Sequence, residues 1–366
     1  MDDMSQERLR RLAEWRPEGG VISVYLDVDP ADRGEGWRIE LQDGLREIAK
    51  AAAGGAERDA LERASRRILS RFPQNVPHPH GRVQIGFVEV AGDEREMWWG
   101  IQATLDRSRV LHGPGPHLAP LVRILDRGAP IGVVLTALER ARAFEWALGR
   151  IAELGTWELE IFSLDWRERK SQQSGPQVGG TGTTAAGRDQ YAQRLQSNRD
   201  RFLKQLGHLL ADRFGDREWR GLMIFGEGEL PRHLAAGLRT RWSLIHKVHH
   251  DLIRATDAEI ERRVEAEVDV LNEQRERALL DRVEEAIGTD SGAALGPTEV
   301  LQALEQGRAS HVIFDSDREF EPHDGQPTSE AMIALGLSTG ASITPVEGEP
   351  AARLAQRGGA AALLRY

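Results

Sequence analysis

The stretch Asp165–Lys204, DWRERKSQQSGPQVGGTGTTAAGRDQYAQRLQSNRDRFLK, gathers the residue types with which a protein handles phosphate. Arg167, Arg169, Lys170, Arg188, Arg194, Arg199, Arg201 and Lys204 are its cations and Asp165, Glu168, Asp189 and Asp200 its anions, eight against four. The segment is therefore +4 in a chain whose 48 Lys and Arg against 58 Asp and Glu give −10. Between its basic flanks, Gly175–Gly187 holds five glycines and no charge. Backbone of that kind accepts conformations and close approaches that side chains forbid. A neutral tip on a basic base suits entry into a narrow, phosphate-lined space. The plain alternative is a permissive surface loop beside a solvated helix. Trp166, next to Arg167 and Arg169, is the aromatic best placed to stack on a base.

Other chemistries are tested by the letters. Gly182–Gly187 has the glycine spacing of a phosphate-binding P-loop, but Arg188 and Asp189 stand where Lys and Ser or Thr are needed. Asp189 repels phosphate and cannot supply the hydroxyl for magnesium, so nucleotide hydrolysis is not expected. His246, His249, His250 and Asp251 form H-x-x-H-H-D, which shares a metal only if the segment is helical. The surrounding letters are partly strand-like, and there the rings diverge. His78 and His80 flank Pro79 in a proline-rich loop. Structural or exposed histidines are the reading adopted, with no metal site and no cofactor. No G-x-S-x-G elbow is present, which leaves a Ser–His–acid triad without its usual motif. The chain has no Cys, which excludes thiolate nucleophiles, zinc ribbons, iron–sulfur sites and disulfide scaffolds. Of the nine Trp, Trp98-Trp99 and Trp146 sit in strand-like runs, where packing is expected.

The elements that must position the loop follow from periodicity. A chain of 366 residues with 40% hydrophobic and 29% charged residues has a globular balance, with room for two or three domains at about 150 residues each. No apolar run approaches ~18 residues, and MDDMSQERLRRLAEW has no apolar signal core, so a cytoplasmic protein without membrane spans is expected. The acidic total confines any RNA contact to a local basic patch.

Three segments are predicted, 1–128, 129–252 and 253–366. In the first, Leu9, Leu12 and Trp15 have helical spacing, Gly20–Val28 reads as a strand, and two amphipathic helices run through Leu41, Leu45, Ile48 and Leu61, Ala64, Ile68, Phe72. RVQIGFVEV and REMWWGIQA flank a hairpin turn at Ala91–Glu94. In the second, Ile131–Thr136 is a buried strand. Phe144, Trp146 and Leu148 alternate as another, and Trp157–Leu164 as a third. A helix begins near Asp189 with Leu195, Phe202, Leu206 and Leu209 along it, and Gly221–Gly228 is a strand and turn. In the third, Thr256 and Glu259 fit a capping box. A stripe of Ile260, Val264, Val268 and Leu271 resumes at Leu279, Val283 and Ile287 before Gly288. Helices at Thr298–Glu305 and Ser329–Leu335 and strands at His311–Phe314, Ala341–Thr344 and Ala360–Leu364 then complete an α/β/α sandwich. The expected class is α/β (α+β) in three domains.

This order of parts, with Arg169-Lys170, Gly175-Pro176-Gln177, Thr184–Tyr191 and Arg194, resembles the archaeo-eukaryotic peptide-chain release factor superfamily that includes Pelota. Within it, the middle segment looks most like bacterial relatives of the Vms/Ankzf-type peptidyl-tRNA hydrolases of ribosome quality control. The resemblance covers most of the chain. It implies a middle α/β domain whose glycine-rich loop precedes a long helix, and a third domain similar to kink-turn-binding ribosomal proteins. It also implies the ribosome, through its large subunit, and peptidyl-tRNA as partners. A partner GTPase is not specified.

By the same resemblance Gly175 and Gln177 match the tip that enters the peptidyl-transferase centre, and Ala185–Gly187 with Arg188 match the helix entry. Release factors carry Gly-Gly-Gln, whereas Pro176 stands at the second glycine here, without an N–H and with φ fixed. Gln172, Gln173 and Gln190 are the other glutamines that can stand for the loop residue. The implied chemistry is hydrolysis of the ester joining peptide to tRNA. Gln177 has no useful pKa; its amide orients the water or the tRNA 3′ end. Arg167, Arg169, Lys170, Arg188, Tyr191 and Arg194 are the implied contacts to tRNA or ribosomal RNA. Cleavage near the tRNA 3′ end is the alternative reaction, and ribosome binding without catalysis the alternative function.

Overall fold

The computed structural model describes residues 6–28, 36–72, 81–105, 107–159, 166–168, 185–239, 241–287, 292–323 and 325–365. Its contacts gather into two compact units, one of residues 129–272 and one built from 1–128 together with 273–366.

Residues 1–128 form α1 (Gln6–Glu14), β1 (Val21–Asp27), α2 (Gly36–Ala51), α3 (Gly55–Ser70), β2 (Val83–Glu89), β3 (Glu96–Ile101), β4 (Arg109–Gly113) and α4 (Ala119–Arg127). The strands make an antiparallel sheet in the order β3-β2-β1-β4. β1 is apolar on both faces because both are covered. Ile22, Val24 and Leu26 meet Trp37, Leu41 and Leu45 of α2 and Leu61, Ala64 and Ile68 of α3. On the other face Tyr25 lies edge-on to Phe87, which meets Trp99. The β2–β3 hairpin pairs Val83 with Ile101 through Val88 with Glu96. Its turn uses the positive φ of Gly92 and Glu94, as the sequence predicts.

The 129–272 unit contains β5 (Ile131–Thr136), β6 (Arg140–Ala147), β7 (Arg150–Leu159), β8 (Trp166–Glu168), α5 (Ala185–Phe214), β9 (Leu222–Gly226), α6 (Leu230–Leu238), β10 (Ile245–Val248) and the first half of α7 (Asp257–Ile287). Its sheet runs β10-β9-β5-β6-β7-β8. The first three strands are parallel and the rest antiparallel. Ile131–Thr136 is buried throughout because the sheet is covered twice. Val134, Leu222 and Ile224 meet Phe202, Leu206, Leu210 and Leu234 of α5 and α6. Val133, Leu135, Met223 and Phe225 meet Ile260, Val264 and Val268 of α7. Leu148 does not continue the alternation of Phe144 and Trp146. It forms a two-residue turn with Gly149, both at positive φ, the geometry that matches strand twist in tight hairpins. The strand expected at Trp157–Leu164 starts earlier, at Arg150, on a partly exposed stretch without apolar alternation, and 160–165 lie outside the described residues.

The capping box of α7 forms as read. The Glu259 carboxylate accepts the Thr256 N–H and hydroxyl, each at 2.9 Å, and Thr256 Oγ1 accepts the Glu259 N–H at 3.4 Å. The break in the apolar stripe after Leu271 is not a helix end. α7 is continuous for 31 residues, and the gap is filled by buried Asn272 and Glu276.

The remaining elements are β11 (Ala293–Leu295), α8 (Gly296–Glu305), β12 (Ala309–Asp315), α9 (Thr328–Thr339), β13 (Ser342–Val346), α10 (Gly348–Ala355) and β14 (Ala360–Leu364), with sheet order β11-β14-β12-β13. Leu279, Leu280 and Val283 of α7 and Ala351 and Leu354 of α10 pack on Ile313 and Ala361. The class is mixed α/β, with ten helices and three sheets among the described residues. No described helix is long and apolar enough to cross a membrane.

Polar contacts join 1–128 to 273–366. Arg275 donates to both carboxylate oxygens of Asp126, with Nη1 at 3.0 Å from Oδ1, and Thr344 Oγ1 lies 3.4 Å from the same oxygen. Arg127 pairs with Glu276 at 3.3 Å, Arg123 with Glu347 at 2.8 Å, and Arg107 and Arg109 with Asp317 at 3.1 Å each. Helix α4 has no side-chain cap of its own. Glu330 of α9 supplies one, accepting the N–H of Leu118 at 2.8 Å and of Ala119 at 3.1 Å.

Burial raises the Glu330 carboxyl from 4.5 to about 7, against the lowering effect of those two donors and of Arg16. Tyr25 is raised well above its ordinary value by burial and by this carboxylate. An acid raised by folding favours the fold fully below about pH 4.5 and loses that contribution as pH rises through 7. At about 1.4 kcal/mol per pH unit the swing is about 3 kcal/mol. Between pH 5 and 8 the wild type should lose more stability than Glu330→Gln in urea titrations. Parallel pH curves for the two proteins would contradict this account.

Candidate nucleic-acid interface

The basic segment singled out in the sequence joins an edge strand to a long helix. β8 is the outermost strand of its sheet, and Arg167 on it is exposed and pairs in register with Glu158 of β7. α5 has 30 residues, about 45 Å at 1.5 Å per residue. It begins at Ala185, four residues before the expected start at Asp189, because the small residues ahead of Arg188 are helical too. Arg188, Tyr191 and Arg194 all fall in its first turns, with side chains outside the described set. Gly175, Gln177, Arg169 and Lys170 lie outside the described residues. So do the other loop glutamines, Gln172 and Gln173, and the histidines 78 and 80.

The described part of α5 shows how the helix is held. Phe202, Leu206, Leu210 and Phe214 are buried against the sheet and α6. The crossing with α6 is closed by two glycines that the sequence reading did not single out. A Cβ on Gly237 would lie 2.5 Å from the Lys204 carbonyl oxygen and 2.9 Å from the Gly207 Cα. These neighbours are backbone, so the helices must part to admit a methyl. Gly237→Ala should cost about 1–3 kcal/mol in spite of its better helix propensity, read as a lower urea midpoint. A midpoint at or above wild type would contradict the close crossing. The detectable signal was a glycine inside each apolar stripe, Leu203-Leu206-Gly207-Leu210 and Leu234-Gly237-Leu238, since an unexplained glycine in a helix has a packing reason.

Among the described side chains of α5, two cations have local partners. Arg199 pairs with Asp200 at 3.4 Å, and Asp200 also meets His233 at 3.3 Å. The Arg201 guanidinium lies 5.3 Å above the Phe202 ring. Lys204 is exposed, one turn before the glycine crossing.

The second histidine group does not converge. His246 lies on β10 with Nε2 3.0 Å from Glu267, while His249 Nδ1 faces the Gly228 carbonyl oxygen at 2.8 Å. Asp251 accepts the N–H of Ile253 at 2.9 Å. Only His246 is on the strand, and His249 and His250 follow its end. Among the described residues no three His, Asp or Glu gather in metal-ligand geometry. Trp99, Trp146, Trp157, Trp219 and Trp242 are buried, and the last two stack at 5.5 Å, so packing claims them. The side chain of Trp166 is outside the described set.

Comparison with known proteins finds one family model similar to part of this chain. Residues 130–265 match the family model described as bacterial archaeo-eukaryotic release factor family 5. No curated protein matches the sequence. Among solved structures, the chain is similar to Archaeoglobus fulgidus Pelota at 15% identity, over 99% of this chain and 92% of that one, with a TM-score of 0.39. It is similar to the archaeal termination factor aRF1 at 18% identity over 99% of both chains, with a TM-score of 0.27. Dom34 of S. cerevisiae matches at 10% identity over 78% of this chain and 79% of its own, with a TM-score of 0.39. Residues 130–265, the stretch from β5 into α7, are thus similar to the release-factor domain of bacterial archaeo-eukaryotic release factor family 5.

Proposed function

We propose that this protein is a ribosome-associated, release-factor-like protein that hydrolyses peptidyl-tRNA on stalled ribosomes or split large subunits. The observation that carries the reading is the family match over residues 130–265, which encloses the whole glycine-rich connection between β8 and α5. Gln177 is the tip residue that orients the water or the tRNA 3′ end, with Gly175 giving the tip its backbone freedom. Arg167, Arg169, Lys170, Arg188, Tyr191 and Arg194 hold tRNA or ribosomal RNA. Residues 1–128 and 253–366 are the flanking domains of a three-domain factor.

Co-sedimentation with purified ribosomes and large subunits across a salt series tests the reading. Binding should weaken steeply with salt, since the basic flanks act through phosphates. Absence from every pellet at low salt would defeat it. A second reading is favoured by Pro176, which removes an N–H at the tip. On that reading the protein binds ribosomes in hibernation or surveillance and releases no peptide.

A further inference from the structure

A cleft of about 620 Å³ opens between α8 and the segment 318–323 that follows β12. Pro297 and Leu301 give it one apolar wall and Phe320 and Pro322 the other. Glu305, Glu319 and Glu321 also line it, with Arg318 as its one guanidinium and His323 as its one imidazole. A second cleft of about 270 Å³ lies between α1 and α9 and shares Glu305 and His323 with the first. The two meet at that pair, whose nearest charged atoms are 3.8 Å apart, and so form one elongated groove.

The groove is acidic. Glu319 and Glu321 are exposed and have no ion-pair partner among the described residues. Arg318 is occupied locally. Its guanidinium lies 5.8 Å from the Phe320 ring, and its stem rests on Gly359, where a Cβ would come 2.4 Å from the Arg318 Cδ. The smaller cleft adds Glu14 and Arg10, and Arg10 Nε donates to the Leu337 carbonyl oxygen at 2.6 Å. With His323 neutral, the lining carries four carboxylates against two guanidiniums.

We propose that this groove docks an extended, lysine- and arginine-rich segment of a partner protein that also carries apolar side chains. Like charge keeps a phosphate chain out of it. Lysine and arginine lay their aliphatic stems on apolar surface while their heads stay with charge and water, and the lining offers both surfaces. A small cation would satisfy the carboxylates and leave the apolar walls unused. A segment of chain uses both, and it follows the groove past Glu305 into the second cleft. The proposal goes beyond the release-factor reading and uses none of the residues assigned to it.

The test is fluorescence anisotropy of the full chain with a labelled peptide of three Lys-Pro-Leu-Arg repeats, set against three Lys-Gly-Ser-Arg repeats of equal charge. The leucine peptide should bind more tightly, and added salt should weaken both. Glu319→Lys with Glu321→Lys should weaken its binding about tenfold or more, by setting like charges against it. Phe320→Ala should remove the preference for the leucine peptide. Asp59→Lys with Glu62→Lys, an equal charge change at exposed positions of α3, should bind as wild type does. Circular dichroism checks that each variant folds. The proposal is overturned by no binding of the leucine peptide to the wild type at low salt, by equal affinity for the two peptides, or by wild-type affinity in the Glu319 and Glu321 reversal. An equal loss in the α3 control would overturn it too, and so would displacement of the peptide by spermidine at the same concentration, which would mark the groove as a polyamine site. Ribosome pelleting does not enter this readout, so the proposal and the release-factor reading fail separately.

Discussion

On the proposed reading, replacing Gln177 by Ala should lower peptide release from a stalled complex about 10²-fold, the cost of losing the group that positions the water or the tRNA 3′ end. Ribosome pelleting should be unchanged, because on that reading affinity comes from the basic flanks and not from a neutral amide. The converse pair, Arg169→Ala with Lys170→Ala, should shift the salt midpoint of pelleting. The two readouts separate chemistry from docking. Release that survives Gln177→Ala would remove this residue from the reaction and direct attention to Gln172, Gln173 or Gln190. A wild type that pellets but releases nothing would favour the binding-only reading motivated by Pro176.

The largest expected effect on stability is at Asp126. Its side chain is 3% exposed and that of Arg275 is 15% exposed. Asp126→Ala strips a bidentate partner from a mostly buried guanidinium and removes the acceptor facing Thr344. Breaking one side of such a buried pair costs about 3–5 kcal/mol, because the other charge is left without compensation. Urea denaturation should show this loss in the transition of the unit made from 1–128 and 273–366. Adding Arg275→Met should restore much of it, since the double variant removes the stranded charge along with its partner. A loss below about 1 kcal/mol in the single variant would mean that water or Glu276 compensates Arg275 fully.

Local signals made much of the architecture legible. β1, β5 and β9 announced themselves as short apolar runs, and the α7 start as Thr256 with Glu259 three residues on. What escaped was non-local or weakly patterned. α10 and β11 are short and rich in Ala and Gly, with too little side-chain contrast for a period to show. α4 carries Pro120 in its first turn, beside a Gly-Pro run that masks its apolar stripe. Leu148 continues the strand alternation in the letters, and only the backbone reveals its positive φ. Glu330 looked like any solvated helix residue; its partners are more than 200 positions away. Of the candidate site, the cations and the long helix could be read from the letters. The glycine crossing that fixes the helix needed coordinates, because it depends on α5 and α6 meeting at Gly207 and Gly237.

The borrowed cap of α4 bears on how the protein is made. The Leu118 and Ala119 amides emerge from a translating ribosome long before Glu330, which follows Leu118 by 212 residues. At roughly 5–20 residues per second, that interval is about 10–40 s. During it Asp126 also lacks Arg275, which comes 149 residues later. The nascent 1–128 segment therefore waits with α4 lacking its Glu330 cap and Asp126 lacking Arg275, while residues 129–272 can close their own sheet as soon as they emerge. The sheet of β1 to β4 can close on α2 and α3 as soon as it emerges, since all of its partners lie within 1–128; the end of α4 is the part that must wait for the C-terminal segment.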